Sequence, residues 1–145
     1  MADEKKYAEF GGRAMLEKVS KIFYDKIYED AWLQQYFSGV AQDHIERQQV
    51  DFMQGVCGGE KVFCGRLPVS AHTHIYITDE LFDFRKEVLL ASLVEAGANQ
   101  ALRELWLKID DSFRAKLIKK SVDECFGRYK MEPIISIAPP RKKAA

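Results

Sequence analysis

Histidine and cysteine are scarce in this chain, with three of each in 145 residues. Cys57, Cys64 and Cys125 form no C-x-x-C pair, and their odd count argues against a disulfide framework. Cys57 and Cys64 flank a glycine loop and read as independent thiols. Net charge is missing too: 22 basic residues balance 22 acidic ones, which leaves no electrostatic footprint for nucleic acid or an anionic membrane. No apolar run is long enough to span a bilayer, and the start MADEKKYAEF has no apolar signal core. These absences lead to the expectation of a cytoplasmic protein with free thiols. What is present is a hydrophobic fraction of 47% and an aromatic fraction of 12%, enough for one domain with a sizeable core.

Convincing strand patterns are also lacking, and the class reads as all-α. Residues 1–9 are charged and expected to fray. After Gly11-Gly12, Leu16, Val19, Phe23 and Ile27 recur at three and four residues, which predicts a helix from Arg13 to about Tyr28 with Tyr24 beside its apolar stripe. Trp32, Leu33, Tyr36 and Phe37 form an aromatic corner closed by Ser38-Gly39. A second helix is predicted from Asp43, with Asp43 as its cap and Glu46 completing a capping-box pattern. Its stripe is Ile45, Gln49, Phe52, Met53 and Val56, so an amide stands where an apolar residue belongs. Thr78 caps a third helix with Asp79 and Glu80 in its first turn, Phe82, Leu89, Leu93 and Ala96 on its buried face, and Gly97 as its stop. A fourth begins near Asn99 and buries Leu102, Leu105, Trp106, Ile109, Phe113 and Leu117, with Phe126 as a further candidate. The domain is placed at 1–129. Residues 130–145, with three of the four prolines and the basic run Arg141-Lys142-Lys143, read as an extended or mobile tail with a solvated end.

Between the second and third helices, RLPVSAHTHIYIT at 66–78 sustains no helical period. Taken alone, its histidines fit a half-buried ring with one satisfied nitrogen better than they fit a metal ligand. The other segments change the balance. Tyr24, Phe37, Gln49 and His72 come from four stretches, and a packed helical core does not need a phenol, an amide and an imidazole together. A dry pocket around a metal-bound diatomic ligand does: His72 would ligate haem iron, Tyr24 and Gln49 would donate hydrogen bonds, and Phe37 would pack on the porphyrin.

These residues sit within a longer series: Y-A-E-F-G-G at 7–12, F-Y-D-K-I at 23–27, Y-F-S-G at 36–39, Q-Q-V-D-F at 48–52, C-G-G-E-K-V-F-C-G at 57–65 and A-H-T-H-I-Y-I-T-D-E-L-F at 71–82. In this order and spacing the chain resembles the truncated haemoglobins, nearest the group I pattern, over about Tyr7 to Phe126. The resemblance implies a two-over-two helical sandwich around haem b. It implies His72 as the proximal iron ligand, Tyr24 and Gln49 as distal donors, and Phe37, Ile45, Gln48, Phe52, His74 and Phe82 among the haem-contacting residues. Ile45 falls where many globins carry a distal histidine.

There are departures. Gln48 replaces a basic residue or histidine found in some members, so the haem propionates need other partners among Arg47, Lys61, Arg66, His74 and Arg85. Arg85 and Lys86 occupy positions apolar in many relatives, which bears on the family's apolar gas route. His44 is expected to be exposed. The function implied is reversible binding of O2, with NO and CO as further ligands; oxidation of NO to nitrate, with a reductase, is allowed by the resemblance. Two alternatives stand beside it: a haem peroxidase-like enzyme, for which no distal base is evident, and a non-haem helical protein with zinc at His72 and His74.

Overall fold

A computed structural model describes residues 2–140, with side chains described from Glu4; the basic run at 141–143 lies outside the described residues. Seven α-helices follow in order: α1 (Ala2–Glu9), α2 (Gly12–Glu29), α3 (Gln42–Val56), α4 (Pro68–Ala71), α5 (Asp79–Ala96), α6 (Gln100–Ser112) and α7 (Arg114–Leu117). Two 3-10 turns accompany them, Leu33–Phe37 and Val122–Glu124. The described residues contain no strand, only a single parallel bridge between Ile75 and Ile135.

Helix α2 is the centre of the molecule, packing α3 on one side and α5 on the other, while α6 packs on α5. Its face Leu16, Val19, Phe23 and Ile27 is fully buried, at the predicted helical spacing. Ser20 lies in the same face and satisfies its hydroxyl by donating to the Glu46 carbonyl of α3 at 3.0 Å, which a bulkier side chain would not permit. From α5, Leu89 and Leu93 are wholly buried, and from α6 Leu102 and Trp106 close the core. Two helix pairs, α2 with α3 and α5 with α6, thus make the predicted all-α sandwich.

The caps were partly legible. Thr78 accepts from Leu81 N–H at 3.1 Å, and Asn99 from Leu102 N–H at 2.8 Å, as Ser, Thr and Asn do at helix starts. Gly97 ends α5 in the left-handed region at φ 80°, which its missing Cβ permits. Asp43 is not a cap. α3 starts one residue earlier behind Ala41, without a side-chain cap bond, and Asp43 stands in the first turn where only the helix dipole favours it. The charged start is also ordered rather than frayed: α1 is fixed because Phe10 is buried and the Tyr7 hydroxyl donates to Gln54 Oε1 at 3.2 Å. The last long helix stops at Ser112, well before Phe126, whose ring is 63% exposed.

After α7 the chain turns back. Residues 118–138 run against the histidine stretch and reach the aromatic corner, where the Ile137 carbonyl accepts from Trp32 Nε1 at 3.0 Å and from the Tyr36 hydroxyl at 3.1 Å.

Candidate functional site

A cavity of about 340 Å³ lies between the helix pairs, within the size range of small-molecule and cofactor sites. Every residue predicted for the site lines it: Tyr24, Phe37, Ile45, Gln48, Gln49, Phe52, His72, His74 and Phe82. They arrive from several elements. Tyr24 comes from α2, one step off the buried stripe; Phe37 from the 3-10 corner; Ile45, Gln48, Gln49 and Phe52 from α3; Phe82 from α5.

His72 is placed by α4, a single turn that Pro68 opens at a position where its missing N–H costs nothing. The imidazole Nδ1 bonds back to the Pro68 carbonyl. A carbonyl only accepts, so Nδ1 carries the proton and Nε2 keeps a free lone pair. This is the tautomer-fixing partner that metal-bound histidines use. Enclosure within the protein, reinforced by the positive charge of Arg85, pushes the His72 pKa down to about 4, so the ring is neutral near pH 7.

Two further polar groups of the cavity are unpaired among the described residues. Tyr24 is 7% exposed, and no protein group among the described residues bonds its hydroxyl; burial pushes its pKa up to about 12, keeping it a donor. Its ring packs edge-on to Phe37 with centroids 5.8 Å apart. Gln49 Oε1 is buried with no partner among the described residues. A buried acceptor left unpaired costs about 1–3 kcal/mol, so a phenol hydroxyl and an amide oxygen unpaired in one cavity point to a polar guest.

The electrostatics include residues that sequence reasoning missed. Asp110 of α6 lines the cavity and accepts from Arg85 Nη1 at 2.7 Å. Its side chain is 10% exposed, and Oδ2 has no partner among the described residues. Arg85 also lies over the Phe23 ring at 5.4 Å. Of the propionate candidates, Arg66, His74 and Arg85 line the cavity, whereas Arg47 is on the surface beside Asp43 and Lys61 is exposed. Arg128 joins them from the C-terminal segment, where only its pairing with Glu132 four residues on could have marked it. His44 is exposed and away from the cavity. Arg85→Met is expected to strand the Asp110 carboxylate. Loss of one partner of a buried pair costs about 3–5 kcal/mol, and the low end applies because Arg85 is one-third exposed. Chemical denaturation checks this, and Arg85→Met/Asp110→Leu should recover most of the loss.

The cysteines are free, and burial pushes the Cys57 thiol up to about 11, so it stays protonated. Among the described residues no three His, Cys, Asp or Glu side chains converge as a metal site, so the zinc alternative gains no support. No helix among them is long and apolar enough to cross a membrane.

An all-helical chain with a neutral imidazole, a phenol and an amide around one internal cavity is the architecture of a small globin. The chain belongs to the bacterial-like globins, the truncated haemoglobins: the family model matches residues 5–118. A group 1 truncated hemoglobin of Tetrahymena thermophila is 27% identical over 122 residues, covering 84% of this chain and 94% of its own. The ferric truncated hemoglobin of Tetrahymena pyriformis superposes with a TM-score of 0.70 at 27% identity, over 79% of this chain and 97% of that one. The 2/2 hemoglobin of Synechococcus, in the cyanomet state with covalently attached heme, gives 0.67 at 28% identity over 76% and 93%. The family is one of haem proteins that bind small diatomic ligands such as O2.

Proposed function

We propose that the chain holds haem b through His72 and binds O2 reversibly, with NO and CO as further ligands. The observation that carries this reading is a set of complementary groups in one cavity: an imidazole whose Nδ1–H is committed to Pro68, leaving Nε2 free, and a Tyr24 hydroxyl and Gln49 amide oxygen with no partner among the described residues. The residues present therefore fit the group. When bound, ferrous haem supplies the position at which a diatomic ligand attaches and leaves.

The remaining work belongs to side chains. His72 offers its lone pair, and the Pro68 carbonyl makes it a better donor by drawing on the Nδ1 proton. Phe37, Phe52 and Phe82 exclude water and supply apolar contact for the porphyrin. Tyr24 is a neutral donor across the physiological range, suited to a guest that carries partial negative charge, and Gln49 supports it. Ile45 brings no histidine to the distal side. Arg66, His74 and Arg128 are assigned to the haem carboxylates. Turnover of NO to nitrate is a further use of the same distal donors and requires a reductase partner. Equilibration of the reduced protein with O2 and then with argon tests the function: the oxy and deoxy visible spectra should interconvert over repeated cycles. Immediate irreversible oxidation at the first exposure would count against reversible binding.

A further inference from the structure

The irregular histidine stretch makes few backbone bonds within itself, among them Ile75 N–H to the His72 carbonyl at 3.1 Å, and takes many from outside. The carbonyl of His72 accepts from Lys119 Nζ at 3.0 Å, that of Thr73 from Phe126 N–H at 3.0 Å, and that of His74 from Ile135 N–H at 2.8 Å. The Ile75 carbonyl accepts from Lys119 Nζ at 2.7 Å, Tyr76 N–H donates to the Ile135 carbonyl at 2.8 Å, and the Ile77 carbonyl accepts from Lys119 N–H at 2.9 Å. Each of the six residues from 72 to 77 is thus bonded to residues 119–135, a segment beyond the family match, which ends at 118. We propose that residues 119–137 are a strap that holds the proximal histidine, with Lys119 as the positioning residue for His72.

The chemistry of Lys119 suits that task. His72 is the C-cap of a one-turn helix, and among the described residues its carbonyl has one main-chain donor, Ile75 N–H at 3.1 Å, which leaves room for a second donor. A half-buried ammonium supplies three donors and a charge that complements the negative helix end. It bridges the His72 and Ile75 carbonyls and so fixes the backbone on both sides of His74. The imidazole is held at one end by Pro68 and its main chain at the other by Lys119. The strap itself is locked by Glu132, whose side chain is 3% exposed and takes bidentate bonds from Arg128 at 2.6–3.1 Å. The same contacts set the two histidines apart: the buried His74 ring sits beside Glu132 at 3.9 Å, with its main chain bonded to Ile135.

This inference rests on His72 as the iron ligand, so the test has one arm that does not. In the full-length haem-loaded protein, Lys119→Met removes the bridge, Lys119→Arg retains a cation with several donors, and Ile135→Pro removes the donor to the His74 carbonyl without touching the cavity lining. The iron–histidine stretching band of the ferrous form and the rate of haem transfer to excess apomyoglobin are the readouts. Lys119→Met and Ile135→Pro should shift or split the band and speed haem transfer roughly fivefold or more, while Lys119→Arg stays within about twofold of the parent. In the haem-free Lys119→Met protein, amide exchange should accelerate at Tyr76, position 119, Phe126 and Ile135 together, with α2 and α5 unchanged. An unaltered band and transfer rate in both disrupting variants overturns the proposal. So does a uniform loss of amide protection, which would make Lys119 a general stability residue. A protein that never binds haem refutes the His72 assignment instead, and leaves the exchange result to decide whether the strap holds the segment.

Discussion

Replacement of His72 by alanine is expected to abolish the histidine-ligated haem spectrum and to weaken haem binding by at least about 100-fold. That is the upper end of the loss seen when only an outer partner of a metal ligand is removed. The cavity walls remain, so residual haem should bind loosely through apolar contact with Phe37, Phe52 and Phe82, without an axial nitrogen. Added imidazole is then the informative control. A free imidazole fits the space vacated by the side chain and should restore the ligated spectrum. His74 should not substitute, because its ring is buried beside Glu132 and its main chain is bonded to Ile135. Equal loss in a His74→Ala variant, with His72 intact, would mean that the two histidines have been assigned the wrong way round.

Tyr24→Phe should speed O2 dissociation roughly tenfold, because one hydrogen bond of about 1–1.5 kcal/mol is lost from the ligand-bound state and not regained in the transition state. The substitution is close to isosteric, and the hydroxyl has no protein partner to abandon, so folding stability should change little. The ring remains packed on Phe37 and on Phe23, whose centroid is 4.9 Å away. Stopped-flow displacement of O2 by CO separates the effects: off-rate for the hydroxyl, thermal unfolding for the ring. Gln49→Leu should give a smaller acceleration and a gain in stability, since it removes a buried amide oxygen that has no protein partner. Equal off-rates in the parent and Tyr24→Phe proteins would assign ligand stabilisation to another group, with Arg85 a cationic candidate that lines the cavity.

Much of the site could be read in the sequence for a physical reason. A polar residue at an apolar helical position is conspicuous, and Gln49 in the α3 stripe and Tyr24 beside the α2 stripe both stand out in that way. The long helices were legible because Leu16, Val19, Phe23 and Ile27, and likewise Leu89 and Leu93, keep the helical period through fully buried faces. The Arg85–Asp110 pair was not legible. Its members lie 25 residues apart on two helices, and each looks like an ordinary surface charge until α5 and α6 are packed together. Gln54 was hidden similarly: it is buried, accepting from Tyr7 and from Arg13 Nη1 at 2.9 Å and donating to the Glu60 carbonyl at 2.8 Å. The returning segment 118–138 left the weakest signal. Its hydrogen bonds to the rest of the chain end on a backbone group at one side or both, so they impose little pattern on side chains, and its prolines suggested only an absence of helix. The stretch 66–78 read as irregular because its partners lie in that returning segment.

The central claim, that the cavity is a haem site closed on one side by His72, is tested most directly by titrating the haem-free protein with ferric haem. The account predicts a Soret absorbance that rises linearly and breaks at one haem per chain. On reduction it should become a histidine-ligated ferrous spectrum. A titration without a break, or the same spectrum and stoichiometry from His72→Ala, would contradict it.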